Sequence, residues 1–172
     1  MNEVFLTLGF GLVTAAILSL SAVAFTLEYA VTRVANLSHG EILTVGAYTA
    51  YLIDRWTGSV LLSALGAAVV GGILALAMQT LIIDRFVSRG VGTMPTFIAT
   101  LGVSFVIQNI LVIFFGAASI AYTIPQGAPH QVGPFLWTGT EEEIILSAIG
   151  ITAALYAIIT YTKFGKALRA VF

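Results

Sequence analysis

The sequence predicts an all-α protein: a polytopic bundle of transmembrane helices, with about five membrane segments and one short or broken helix near residues 36–53. Three observations carry this prediction. Of 172 residues, 59% are hydrophobic and only 9% are charged, against about 25% charged in a soluble domain. Mean hydropathy is +1.03. Four apolar runs each reach the roughly 20 residues that a spanning helix requires at about 1.5 Å of rise per residue.

The first run is Val4 to Leu27. The opening "MNEVFLTLGFGL" begins acidic and has neither the basic n-region nor the small-residue cleavage site of a signal peptide, so this run is expected to be retained as a helix. Next comes "NLSHGEILTVGAY", Asn36 to Tyr48. The apolar segment it leads into, Ile42 to Ile53, is too short to cross alone. Counted from Leu37, however, it has seventeen residues, or about 25 Å of helix. Ser38-His39-Gly40-Glu41 matches the capping box S-x-x-E and marks a helix start. Two placements fit: a broken helix whose polar restart faces protein or a water-lined cavity, as transporters tolerate, or an ordinary cytoplasmic turn with His39 exposed.

The second long run, Ser59 to Ile83, repeats small residues every four positions: Ser63, Ala67, Gly71 and Ala75, with Ala64, Ala68 and Gly72 beside them. It is expected to be a close-packing face and not a site. The third, Met94 to Phe115, carries Thr96, Thr100, Ser104 and Gln108 on one face at i, i+4 spacing, with Asn109 adjacent. Thr96 and Thr100 suit interhelical hydrogen bonding. Gln108 and Asn109 need several partners each and are candidates for an aqueous path. The loop from Gly116 to Glu143 contains three of the four prolines and is expected to be irregular or turn-rich. Thr140, with Glu143 in the reciprocal position, is expected to cap the last run, Ile144 to Thr162.

Basic residues orient the chain, because Lys and Arg are left preferentially in the cytoplasm. An extracytoplasmic N-terminus places Arg33, Arg85, Arg89, Lys163, Lys166 and Arg169 inside and Arg55 outside. The opposite orientation inverts that ratio. Trp56, Tyr122 and Trp137 then fall where aromatic rings favour the headgroup region.

Several functions are excluded. No Lys/Arg cluster is dense enough to follow nucleic-acid phosphates, and there is no cysteine for a disulfide, thiolate or zinc finger. No HExxH pair, nucleophile elbow or GxxxxGK[ST] loop is present, so the chain is not expected to be an enzyme or to hydrolyse ATP itself, and no cofactor is called for. A His39–Glu41 proton relay would require a second acid to receive the proton.

Three stretches, in order, resemble one family. "NLSHGEILTVGAYTAYL" is similar to the "NFAHGE…G.Y" signature of permease subunits of branched-chain amino acid ABC importers. "IDRFVSRG…FIATLGVSFVIQN" is similar to the same family's "ER…RP…L.ATLG.S..LQN", and "YTKFGKALRA" to its "T.FGRA.RA". The resemblance covers most of the chain and implies one transmembrane permease domain over 1–172, the N-terminal part of a longer family domain in a bacterial inner membrane. It further implies a second permease subunit, cytoplasmic ATP-binding subunits and an extracytoplasmic solute-binding protein as partners. The substrate would be a branched-chain amino acid or a related amino acid, amide or urea. On this resemblance Asn36, His39, Gly40, Glu41, Ser104, Gln108 and Asn109 lie along or beside the substrate path. Lys163, Lys166 and Arg169 lead to the ATPase contact or anchor the topology.

The chain departs from the pattern at Arg89-Gly90, where the family has Arg-Pro, which is expected to loosen that turn. Leu37-Ser38 stands where the family has Phe-Ala, which is expected to improve the cap. The family also continues well beyond "ALRAVF", so a truncated or partial permease is expected. The alternatives are an ATP-independent channel, a proton-coupled carrier or a non-transporting remnant.

Overall fold

The computed structural model describes residues 2–118, 120–122, 127–163 and 165. Six α-helices and one short hairpin follow in order: α1 (Asn2–Thr32), α2 (His39–Thr57), α3 (Val60–Met78), a π-helical turn (Gln79–Ile83), α4 (Asp84–Ser88), α5 (Thr93–Phe115), β1 (His130–Val132), β2 (Phe135–Trp137) and α6 (Gly139–Tyr161). Among the described residues, four helical stretches are long and apolar enough to cross a membrane: Glu3–Thr32, Val60–Ser88, Thr93–Phe115 and Gly139–Tyr161. The fifth segment, α2, begins at His39. The all-α class and the short second helix are as the sequence predicts. The chain divides into two compact units, Thr32–Ile124 and Met1–Val31 with Pro125–Phe172.

In the Thr32–Ile124 unit, α2 and α3 form a helical hairpin. Gly58 takes a left-handed φ of 61° and returns its N–H to the Asp54 carbonyl at 2.8 Å, which ends α2. Ser59 then caps α3 by accepting from the Leu62 N–H. The small residues of α3 are used unevenly. Ser63 is buried and bonded to the Ser59 carbonyl. Gly66 leaves room for the end of the Ile53 side chain, and a Cβ on Gly46 would meet the Ala67 carbonyl oxygen at 3.7 Å. Gly71 and Gly72 have open space instead and border an apolar crevice beside Ile42, Leu43 and Ala50. The predicted packing face is therefore closed against α2 over its first half only.

The π-helical turn explains how α3 continues into α4. Residues five apart on an α-helix point about 140° away from each other. Here Met78 and Ile83, at the two ends of the turn, are both buried, and the i→i+5 register lets Gln79 Nε2 donate to Asp84 Oδ1 at 2.7 Å. α4 ends with the Gly90 N–H on the Val87 carbonyl and the Val91 N–H on the Phe86 carbonyl, both 3.0 Å, with Gly90 at φ 68°. That is a Schellman stop, which corrects the expectation of a loosened turn. Proline could supply neither the N–H nor the positive φ, so Gly90 tightens this turn.

In the other unit, β1 and β2 pair antiparallel with His130 opposite Trp137 and Val132 opposite Phe135. The Gly116–Glu143 loop is thus more ordered, over its described residues, than its prolines suggest. Trp137 stacks on Phe135 at 5.0 Å, and Phe135 meets the edge of Phe5 on α1. Thr138, not Thr140, caps α6: its Oγ1 accepts from the Glu141 N–H, and Glu141 Oε2 accepts from the Thr138 N–H at 2.7 Å. "TGTEEE" holds the S/T-x-x-E spacing twice. The earlier copy is used because β2 delivers extended backbone at Thr138 (φ −87°, ψ 159°), the conformation an N-cap takes.

Candidate functional site

The link between α1 and α2 is the most polar buried part of the described chain. Arg33 adopts a left-handed φ of 56° that ends α1. Asn36 and Ser38 are 1% and 0% exposed. The Asn36 Oδ1 accepts from both the Ser38 N–H at 3.0 Å and the Ser38 Oγ at 2.7 Å, an Asx-turn closed twice over. From α5, Thr100 Oγ1 accepts the Leu37 N–H at 3.1 Å and donates to the Phe97 carbonyl. Thr96 bonds the Gly92 carbonyl. The interhelical role expected of Thr100 is thus realised through backbone.

This geometry corrects the predicted capping box. Ser38 holds the N-cap position, but its hydroxyl makes no cap bond. It is committed to Asn36, and Glu41 does not fold back. Thr100 lies seven residues beyond Thr93, about 10 Å along α5 at the standard rise. The start of α2 is therefore stitched to α5 two turns in from that helix's own start.

Released from capping, Glu41 faces α5, where its Oε1 lies 3.5 Å from Ser104 Oγ. That is long for a hydroxyl–carboxylate bond, so Ser104 sits beside the carboxylate without saturating it. Glu41, Thr44, Tyr48 and Gln108 line an open cleft of about 280 Å³ that runs to Gly116. Thr44 donates to the Gly40 carbonyl, which leaves its oxygen lone pairs for an incoming donor. Tyr48 packs on Phe115 with ring centroids 4.2 Å apart. A carboxylate, a hydroxyl, a phenol and a carboxamide on apolar walls can hold a small polar solute by several weak hydrogen bonds.

A second cleft, of about 220 Å³, adjoins the first through Tyr48 and Ala118 and is walled by Tyr51 and Tyr122. Tyr122 reaches from the loop after α5 to donate its hydroxyl to the Ala47 carbonyl at 2.8 Å. Its pKa is raised, first by burial and then by the negative charge of Asp54. Tyr51 meets Tyr122 edge-on at 6.1 Å.

Of the residues singled out in the sequence, Glu41, Ser104 and Gln108 converge at the first cleft. Asn36 lies in the buried link. His39 opens α2, and Gly40 is exposed, with open space where a side chain would be. Asn109 is turned back on its own helix, with Nδ2 donating to the Phe105 carbonyl at 2.7 Å. Lys163 is exposed, whereas Lys166 and Arg169 lie outside the described residues. Sequence reasoning missed Thr44 and Tyr48, although their i+3 and i+7 offsets from Glu41 place them on its face of α2. Among the described residues no three His, Cys, Asp or Glu side chains gather as a metal site would require.

Four long apolar helices, with a buried polar link and a polar cleft, define a multi-pass membrane protein. The family model described as "Branched-chain amino acid transport system / permease component" matches residues 7–172. The chain belongs to that permease family. No curated protein matches it, and no solved structure matches it.

Proposed function

We propose that the chain is the membrane-spanning part of an ABC importer that carries branched-chain or related amino acids across a bacterial inner membrane, driven by separate ATPase subunits. Its partners in this assignment are a second permease subunit, cytoplasmic ATP-binding subunits and an extracytoplasmic solute-binding protein. The N-terminus is extracytoplasmic, α2 crosses as the fifth segment, and residues 1–172 form one permease domain. Lys163, Lys166 and Arg169 face the ATPases or anchor the inner end of α6. The solute passes along the α2–α5 cleft, with Glu41, Ser104 and Gln108 as polar contacts and the Asn36–Gly40 link as its inner support.

One observation carries this assignment beyond family membership: Gln108 and Glu41, 67 positions apart in sequence (108 − 41), line one open cleft. Uptake of radiolabelled leucine by the full-length importer tests it. Gln108→Leu is expected to lower uptake about tenfold, as losing one to two hydrogen bonds to the solute would, with surface expression unchanged. Asn109→Leu, whose amide already bonds its own helix, is expected to leave uptake within about twofold. Equal effects at both positions would remove the cleft from the path. Uptake that persists without the ATPase subunits would assign the cleft to an ATP-independent carrier.

A further inference from the structure

We infer that the cleft walled by Tyr48, Tyr51 and Tyr122 is a separate binding station for the ammonium end of the solute, occupied before the solute reaches Glu41. The inference deepens the path assignment and rests on it, but the station's chemistry can be tested without transport. Three phenol rings surround about 220 Å³. Ring faces attract cations within about 6 Å of the centroid, and the phenol oxygens add acceptors. Because Tyr122 donates its only proton to the Ala47 carbonyl, its oxygen is left with lone pairs alone.

The charges nearby favour the same sign of ligand. Asp54 is buried at 5% exposure, close enough for its charge to act on Tyr122. Glu41 lines the adjoining cleft, so a cation leaving the station moves toward a second carboxylate. Arg55 supplies an internal demonstration. Its guanidinium carbon sits 5.8 Å from the Tyr51 ring centroid, and Nη1 lies 3.5 Å from the Tyr51 hydroxyl. One ring of the station already takes a cation, and we take this exposed Arg55 as the competitor of a solute ammonium for that ring.

The test is equilibrium binding of n-butylammonium to the chain in phosphatidylcholine nanodiscs, with empty discs as blank and n-butanol and n-butyrate as neutral and anionic isosteres. The ammonium is expected to bind about tenfold more tightly than either isostere, as a partly desolvated cation–π contact supplies. Tyr51→Leu is expected to abolish that preference and Tyr51→Phe to keep it. Arg55→Ala, which removes the competing cation, is expected to tighten binding severalfold, a gain that misfolding would not produce. Asn109→Leu, whose amide bonds its own helix, is expected to leave the preference intact. Equal binding of the three isosteres, or loss of the preference in Arg55→Ala, would overturn the inference. If that happened while Gln108→Leu still lowered leucine uptake, the path would stand without the station. Ammonium binding with uptake indifferent to Gln108 would leave the station standing without the path.

Discussion

Two short non-helical segments join long helices here, and they do so by opposite chemistry. The α1–α2 link is uncharged between Val34 and Ser38, buries Val34, Asn36 and Ser38, and is held by hydrogen bonds that Asn36 and Thr100 accept. The β1–β2 hairpin is largely exposed and is held by ring stacking, a reciprocal cap and the His130–Glu142 pair at 2.9 Å. The difference teaches where polar bonds carry weight. Where water is excluded, every unpaired amide costs its desolvation, so partners must be built in. Where water is present, an ion pair adds less than about 1 kcal/mol, and apolar ring contacts carry more of the load.

The largest effect that would break this contrast is expected in the link. Asn36→Ala removes the acceptor of two bonds and strands the Ser38 N–H and hydroxyl in a site with no access to water. Each stranded group costs about 1–3 kcal/mol, so a loss of roughly 2–6 kcal/mol is expected in reversible unfolding from mixed micelles. Thr100→Val, which strands only the Leu37 N–H, should cost about half as much. A loss below 0.5 kcal/mol for Asn36→Ala would mean that water reaches the link, and the contrast would collapse.

These bonds also show how far the sequence could be read. The long apolar runs were legible because spanning helices announce themselves by length and composition alone, and α5 begins within one residue of its predicted start. The restart at residues 38–41 was legible as a helix start but not in its wiring. S-x-x-E predicts a capping box from local spacing, whereas Asn36 claimed the Ser38 hydroxyl and α5 presented Ser104 to Glu41, 63 positions away. Local motifs cannot register such tertiary competition. The π-helical turn, with Met78 and Ile83 both buried at its ends, left no signal either. Gly90 was misjudged by comparison with a family proline, when its own positive φ makes it the better stop.

The hairpin offers a smaller and sharper test. Its Trp137 indole nitrogen is buried without a hydrogen-bond partner among the described residues, and a Cβ on Gly9 would come within 2.9 Å of it. Gly9 is therefore what lets α1 lie under the stacked rings. Gly9→Ala should push the Trp137–Phe135 pair outward by a few tenths of an ångström, an overpacking cost of about 1 kcal/mol. The chain has two tryptophans, and Trp56 is 90% exposed. In a Trp56→Phe background Trp137 alone reports, and its emission should shift to the red as water reaches the ring. Glu142→Gln in the same background should cost less than about 1 kcal/mol and leave the emission unchanged, because the Glu142 contact holds His130 and not the stack. A larger loss for Glu142→Gln than for Gly9→Ala would reverse the order of contributions assigned to this hairpin. It would make the hairpin a charge-held element, differing from the link in exposure alone.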